Sequence, residues 1–198
     1  IESKMLAQKL TIVELRQFLC KSAHMHIGEA HRVADQIINA YHNENLAKKL
    51  LEHGSDPNMP GYNGLYPLHD MMSNGDFDLL VQLLSHGAYV NVSEPWQRQT
   101  PLMWACAGGF EDVAGEILHQ GADVEAVDIN GWTAVHHAVM CTDPRVVDHL
   151  RSAEANFDVQ DNEGNAPLHI ATLNGNHVMV EALLHLGVHA SAQNHKGD

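Results

Sequence analysis

The sequence predicts an all-α solenoid of stacked helix-turn-helix repeats, with β-hairpin or loop fingers projecting along one edge and a helical cap at the N-terminus. Two observations predict this. The segments Tyr66-Pro67-Leu68-His69, Thr100-Pro101-Leu102-Met103, Thr133-Ala134-Val135-His136 and Ala166-Pro167-Leu168-His169 follow one another at steps of 34, 33 and 33 residues, which is a repeat period. A second marker keeps the same frame in His53-Gly54-Ser55-Asp56, His86-Gly87-Ala88, Gln120-Gly121-Ala122-Asp123 and Leu186-Gly187-Val188. Two marks per unit set the register of two short helices that cannot bury their apolar sides alone and must stack to do so.

Residues 1–27 lie outside the repeat but carry a helical pattern. Thr11-Ile12-Val13-Glu14 is a capping box, and Ile12, Leu15, Phe18 and Leu19 form one apolar stripe. A cap over the exposed side of the first unit explains both. Residues 28–59 form a degenerate first repeat: Val33-Ala34-Asp35-Gln36 stands at the helix start, while Leu46, Ala47, Leu50 and Leu51 before Gly54 are ordinary second-helix positions.

The next unit, 60–93, opens its inner helix at Pro67, where a missing N–H is harmless, and fills its outer helix with Leu79, Leu80, Leu83 and Leu84 before Gly87. Unit 94–127 has one extra residue and Arg98 in place of the loop glycine, so its finger is expected to differ in shape. Unit 128–160 begins regularly and ends irregularly: Glu154 replaces the helix-ending glycine and Arg151 replaces an apolar residue. Either the helix is expected to rotate or end early, with the arginine stem on apolar surface and its head in water, or this outer edge is remodelled for a partner. Unit 161–193 is regular again, and 194–198 open a further copy at Asn194-His195-Lys196-Gly197. With Ile1 at the other end, this implies a piece of a longer protein.

Loop, glycine, Thr-Pro-Leu-His-like helix start, second helix ending in glycine and Asp-x-Asn-like return together resemble the ankyrin repeat, over residues 28–198. The resemblance implies that loop tips and the exposed side of the inner helices form a concave face that binds partner proteins. Those places hold Tyr62, Asn63 and Leu65; Trp96, Gln97 and Gln99; Ile129, Asn130, Trp132, Met140 and Cys141; and Asn162, Glu163, Asn165, Leu173 and Asn174. An apolar stripe on loop tips that the fold does not need points to a contact surface, and Trp and Tyr are common anchors there. Tyr62, Leu65, Trp96, Ile129, Trp132, Met140 and Leu173 are the candidate partner-binding residues. The alternative is that Trp96 and Trp132 fold down onto adjacent loops.

Composition narrows the partner. The chain is 44% hydrophobic and 18% charged, with no apolar run long enough to span a bilayer, which is the pattern of a soluble protein with no membrane contact. Net charge is −14, and between Leu51 and Asp143 thirteen acids face a single base, Arg98. Such a body repels phosphate backbones, excluding nucleic acid, and attracts basic segments, although it also simply keeps a repeat protein in solution. Three cysteines, Cys20, Cys106 and Cys141, have no paired spacing and fit a reducing cytoplasmic or nuclear setting.

No catalytic constellation is visible. Cys106 is expected in the core and Cys141 exposed, without the base and oxyanion site a thiol enzyme needs. Sixteen histidines raise a metal reading that their places weaken. His69, His136 and His169 sit at helix starts, and Gly187 interrupts the helix that would align His185 with His189. The histidines instead imply acid-sensitive stability. Thr133 and His136 can hydrogen-bond across their helix start, a tie not expected in the same form at Tyr66, Met103 or Ala166.

The function expected is therefore a non-enzymatic protein-binding module with no cofactor and no metal. Two alternatives stand beside it. One is a regulatory segment of a larger enzyme; the other is a reader of methyl-lysine or basic peptides, with Trp104, Trp132 and Trp96 as a cage. Gln99 and Ala107 depart from the cage pattern, so that Trp104 is expected to pack between repeats.

Overall fold

A computed structural model describes residues 64–72, 77–191 and 193–197, together with 48, 51, 52, 56–58 and 60. The expected cap over 1–27 and most of the degenerate repeat 28–59 lie outside the described residues, as do Tyr62 and Asn63.

Eight described helices alternate along the chain: α1 (Pro67–Met72), α2 (Phe77–Ser85), α3 (Pro101–Gly108), α4 (Glu111–His119), α5 (Ala134–Ala138), α6 (Arg145–Ser152), α7 (Pro167–Leu173) and α8 (His177–His185). No strand occurs among the described residues, so the fingers between units are turns. Odd-numbered helices form an inner row in which α1, α3, α5 and α7 pack in succession, and α2, α4 and α6 stack outside them. Each inner helix also packs on the outer helix that follows it.

The repeat explains the core. Leu83, Ile117, Leu150 and Leu183 occupy one position in the four outer helices and make a continuous buried rod. Each such side chain contributes about 1.5–3 kcal/mol on leaving water. Opposite them, Ala105, Ala138 and Ala171 are fully buried in the inner helices, and their small size lets the two rows approach closely.

The irregular fourth unit departs from expectation. Helix α6 neither rotates out nor ends early: Val146, Val147 and Leu150 face the core, and Ala155 behind them is buried. Glu154 takes the left-handed conformation, φ 59°, at the place where Gly87, Gly121 and Gly187 take it in the other units. Arg151 is exposed and holds Asp148. Gly115 of α4 leaves room for the ring of His149 on α6, which any Cβ would crowd.

Candidate protein-binding groove

The three fingers that open at Glu94, Asp128 and Asp161 are each closed by a carboxylate at the base. Asp128 accepts the N–H groups of Asn130 at 2.7 Å and Trp132 at 3.0 Å on Oδ1, and Asp161 accepts those of Glu163 and Asn165, both at 2.8 Å. In the third unit the extra residue lies inside the finger. Glu94 stands at the same place, and its longer side chain reaches Trp96, Gln97 and Gln99. The turn widens accordingly: Arg98 N–H donates to the carbonyl of Glu94, four residues back, where Gly131 and Gly164 reach only three. The expected difference in shape is thus one wider turn, with Arg98 left-handed at φ 58°.

Successive fingers are joined by one backbone hydrogen bond each, from Ile129 to Gln97, Asn162 to Asn130 and His195 to Glu163, at 3.0, 3.0 and 3.1 Å. The glycines make this approach possible, since a Cβ on Gly131 would meet the backbone nitrogen of Asn162. The fingers therefore form a connected edge above the inner helices.

The helix starts bind that edge to the stack. His136 Nδ1 accepts from the Thr133 N–H and hydroxyl, each at 3.1 Å, so Nε2 carries the proton and donates to the carbonyl of Asn165 in the next finger at 3.2 Å. His69 likewise reaches the carbonyl of Gln99 at 3.1 Å. The tie is broader than expected. His169 accepts from Ala166 N–H, and at Thr100 the Met103 sulfur accepts the backbone N–H. Only the hydroxyl half of the tie is confined to threonine.

His137, with no assigned role in the sequence, donates Nε2–H to Asp128 Oδ2 at 3.1 Å, on a carboxylate that is fully buried. Burial holds the His137 pKa below its ordinary value despite the attraction of Asp128, and burial does the same at His69 and His136. Burial opposes the Asp161 charge, but hydrogen bonds from Asn165, Glu163 and Trp132 outweigh it and keep that carboxyl below the usual range.

The candidate residues divide by this geometry. Trp96 on the wide finger is 56% exposed and Ile129 46%. Trp132 is turned down: its ring stacks on His136, meets His137 edge-on, and donates Nε1–H to Asp161 Oδ2 at 3.0 Å. Leu65, at the corresponding place in an earlier unit, is half-buried. Met140 and Leu173 stand at equivalent places just past the buried turns of α5 and α7, and are 49% and 78% exposed.

Trp132, Met140 and Leu173 come together around an open groove of about 400 Å³ between the last two full fingers and inner helices. Asn130, Asn162, Glu163, Asn165 and Asn174 line it too, as do two residues not singled out in the sequence, Asp161 and Ile170. Asp161 was findable as the finger-base acid one unit beyond Asp128, and Ile170 as the apolar residue after His169.

Elsewhere the tryptophans do not converge. Trp104 packs edge-on against His69 of the preceding unit, with its Nε1 buried and without a hydrogen-bond partner among the described residues. Cys106 is buried, which raises its thiol pKa. Cys141 is half-buried rather than exposed, because its sulfur leans on Gly109 of the unit before and accepts the Asp143 N–H. No cluster of three or more His, Cys, Asp or Glu among the described residues is placed to hold a metal, and no described helix is long and apolar enough to cross a membrane.

Fold and groove together define a class: a stacked-repeat scaffold with a recessed face along its fingers and inner helices. The family model for ankyrin repeats (three copies) matches residues 36–128 and 115–194, and the chain belongs to the ankyrin repeat family. It is 28% identical over 163 residues to the neurogenic locus notch homolog protein 1 of Xenopus tropicalis, covering 79% of this chain and 6% of that protein. It is 31% identical over 105 residues to inversin of Gallus gallus, 53% of this chain and 10% of inversin. A glycerophosphocholine phosphodiesterase of Schizosaccharomyces pombe is 29% identical over 113 residues, 57% of this chain and 10% of the enzyme. The chain thus spans a small part of each relative's length.

Proposed function

We infer that this array binds a partner protein or peptide on its finger and inner-helix face, and that the contact centres on the groove between Met140 and Leu173. The observation that carries this is the 78% exposure of Leu173, a large apolar side chain held in water where α7 has no structural use for it. Met140 repeats the arrangement one unit earlier, and Trp96 and Ile129 extend the apolar edge along the fingers. Trp132 has a double role, as the groove's aromatic wall and as the link from its own finger to Asp161.

The partner is a protein and not a nucleic acid, because a chain of net charge −14 repels phosphate. The two described cysteines are free thiols, which fits an intracellular setting. Similarity to the fission yeast phosphodiesterase supports a second reading, in which an array of this kind serves as a regulatory segment beside a catalytic domain.

Selection of a phage-displayed peptide library on the folded array tests the assignment. Peptides should enrich and then bind the Met140→Ala/Leu173→Ala variant about tenfold or more weakly, as expected for two interface anchors, while its circular dichroism and Tm match the parent. Enriched peptides indifferent to that change would remove the groove from the binding site.

A further inference from the structure

Building on the groove assignment, we propose that its occupant is an extended partner segment carrying one large apolar side chain with an arginine or lysine a few residues away. The apolar residue lies between Met140 and Leu173, and the cation pairs with Glu163. Ten residues line the groove, including two carboxylates and neither lysine nor arginine.

The carboxylates differ. Asp161 is committed to the fold, with Oδ1 taken by two backbone N–H groups and Oδ2 by Trp132 Nε1 and Asn165 Nδ2. Glu163 is available. Its cation is Lys196 at 3.5 Å, and the two side chains are 68% and 73% exposed. A pair so exposed is weak and exchangeable, and a partner's cation can take the place of Lys196.

The surroundings favour that exchange. Arg145 is held by Glu111 and Asp143 at 2.7 and 2.6 Å and Arg151 by Asp148 at 3.1 Å, all at or beside the outer helices, so these cations do not offset the acids of the groove. Among the described residues, Asp161 and Glu163, with Lys196 as the one cation set against them, leave the groove a net negative charge, which attracts cationic segments and repels anionic ones. Asn130 and Asn174 place carboxamides at the lip, Asn174 through a contact of Nδ2 with Met140 sulfur at 3.1 Å. Such groups suit the backbone of an extended chain.

Fluorescence anisotropy with short fluorescein-labelled peptides, each with a central leucine flanked by Arg, Gln or Glu, separates the two levels of this reading. On the parent array the Arg peptide should bind most tightly and the Glu peptide least, with a spread of roughly threefold to tenfold that narrows with added salt. Glu163→Gln should flatten the ranking, Glu163→Lys invert it, and Lys196→Ala sharpen it. Leu173→Asp should abolish binding of all three.

Binding that depends on Leu173 but ignores peptide charge would overturn the basic-segment assignment and leave the groove standing. Binding indifferent to Leu173→Asp, or no binding by any of the peptides, would overturn the groove itself. Glu163 and Leu173 are exposed, so these variants keep the packed core.

Discussion

Glu154 sits at φ 59°, in a region where L side chains crowd their own carbonyl at a cost of about 1–2 kcal/mol. Replacing it with glycine removes that strain but frees the unfolded chain, which returns about 0.4–1 kcal/mol. Glu154→Gly should therefore stabilise the protein by roughly 0.5–1 kcal/mol, seen as a higher midpoint in urea at unchanged slope. A neutral or lower midpoint would show that the strain is relieved in some other way. The missing glycine was legible in the sequence, but its consequence was not. Ending α6 early would have exposed Leu150, worth about 1.5–3 kcal/mol, and that loss exceeds the strain. The chain therefore keeps the turn and accepts Glu154 in it. Arg98 makes the same compromise at φ 58°, with three hydrogen bonds to Glu94 holding the finger closed around it.

At the scale of the element, fingers and inner helices are joined by histidines whose burial opposes protonation. His69, His136 and His137 all have pKa values below the ordinary 6.5, chiefly from burial. The unfolded chain takes up protons near 6.5 where the native state resists them. Their stabilisation is complete above that pH and is lost as pH falls through the lower folded values. Tm should drop between pH 7.5 and 5.5, and His137→Gln, whose amide can still donate to Asp128, should flatten the drop. Comparing the variant with the parent separates this histidine from the general fall in negative charge. Equal slopes would mean that His137 is not among the groups that titrate. The Thr133–His136 tie could be read from residues three apart in sequence. The bond from His136 to the Asn165 carbonyl could not, because it depends on how the next finger, a whole repeat away, presents its backbone. The same limit applied to Trp132: its place on a finger was legible, but its hydrogen bond to Asp161 of the following unit was not, and that bond helps to hold the ring down.

Across the described repeats the helices of each unit pack chiefly on those of adjacent units, so stability is close to a sum of local terms and interface terms, and damage spreads according to position. Leu150 and Leu183 are chemically matched: both are fully buried in the same rod, one inside the stack and one in its last described outer helix. Truncating either to alanine should cost about 2–5 kcal/mol locally. The consequences should differ. Leu183→Ala should raise hydrogen exchange in α7 and α8 alone. Leu150→Ala should raise it in α5 and α6 and also in the helices packed directly on them, α3 and α7 on α5 and α4 on α6, while α1 and α2 keep each other as packing partners. Uniform loss of protection in every helix of Leu183→Ala would show a single cooperative unit instead. The groove straddles α5 and α7, so Leu150→Ala should also weaken peptide binding without touching the ligand, whereas Leu173→Asp should abolish it with protection unchanged. That contrast separates loss of binding through the unit beneath the groove from loss at the groove surface itself.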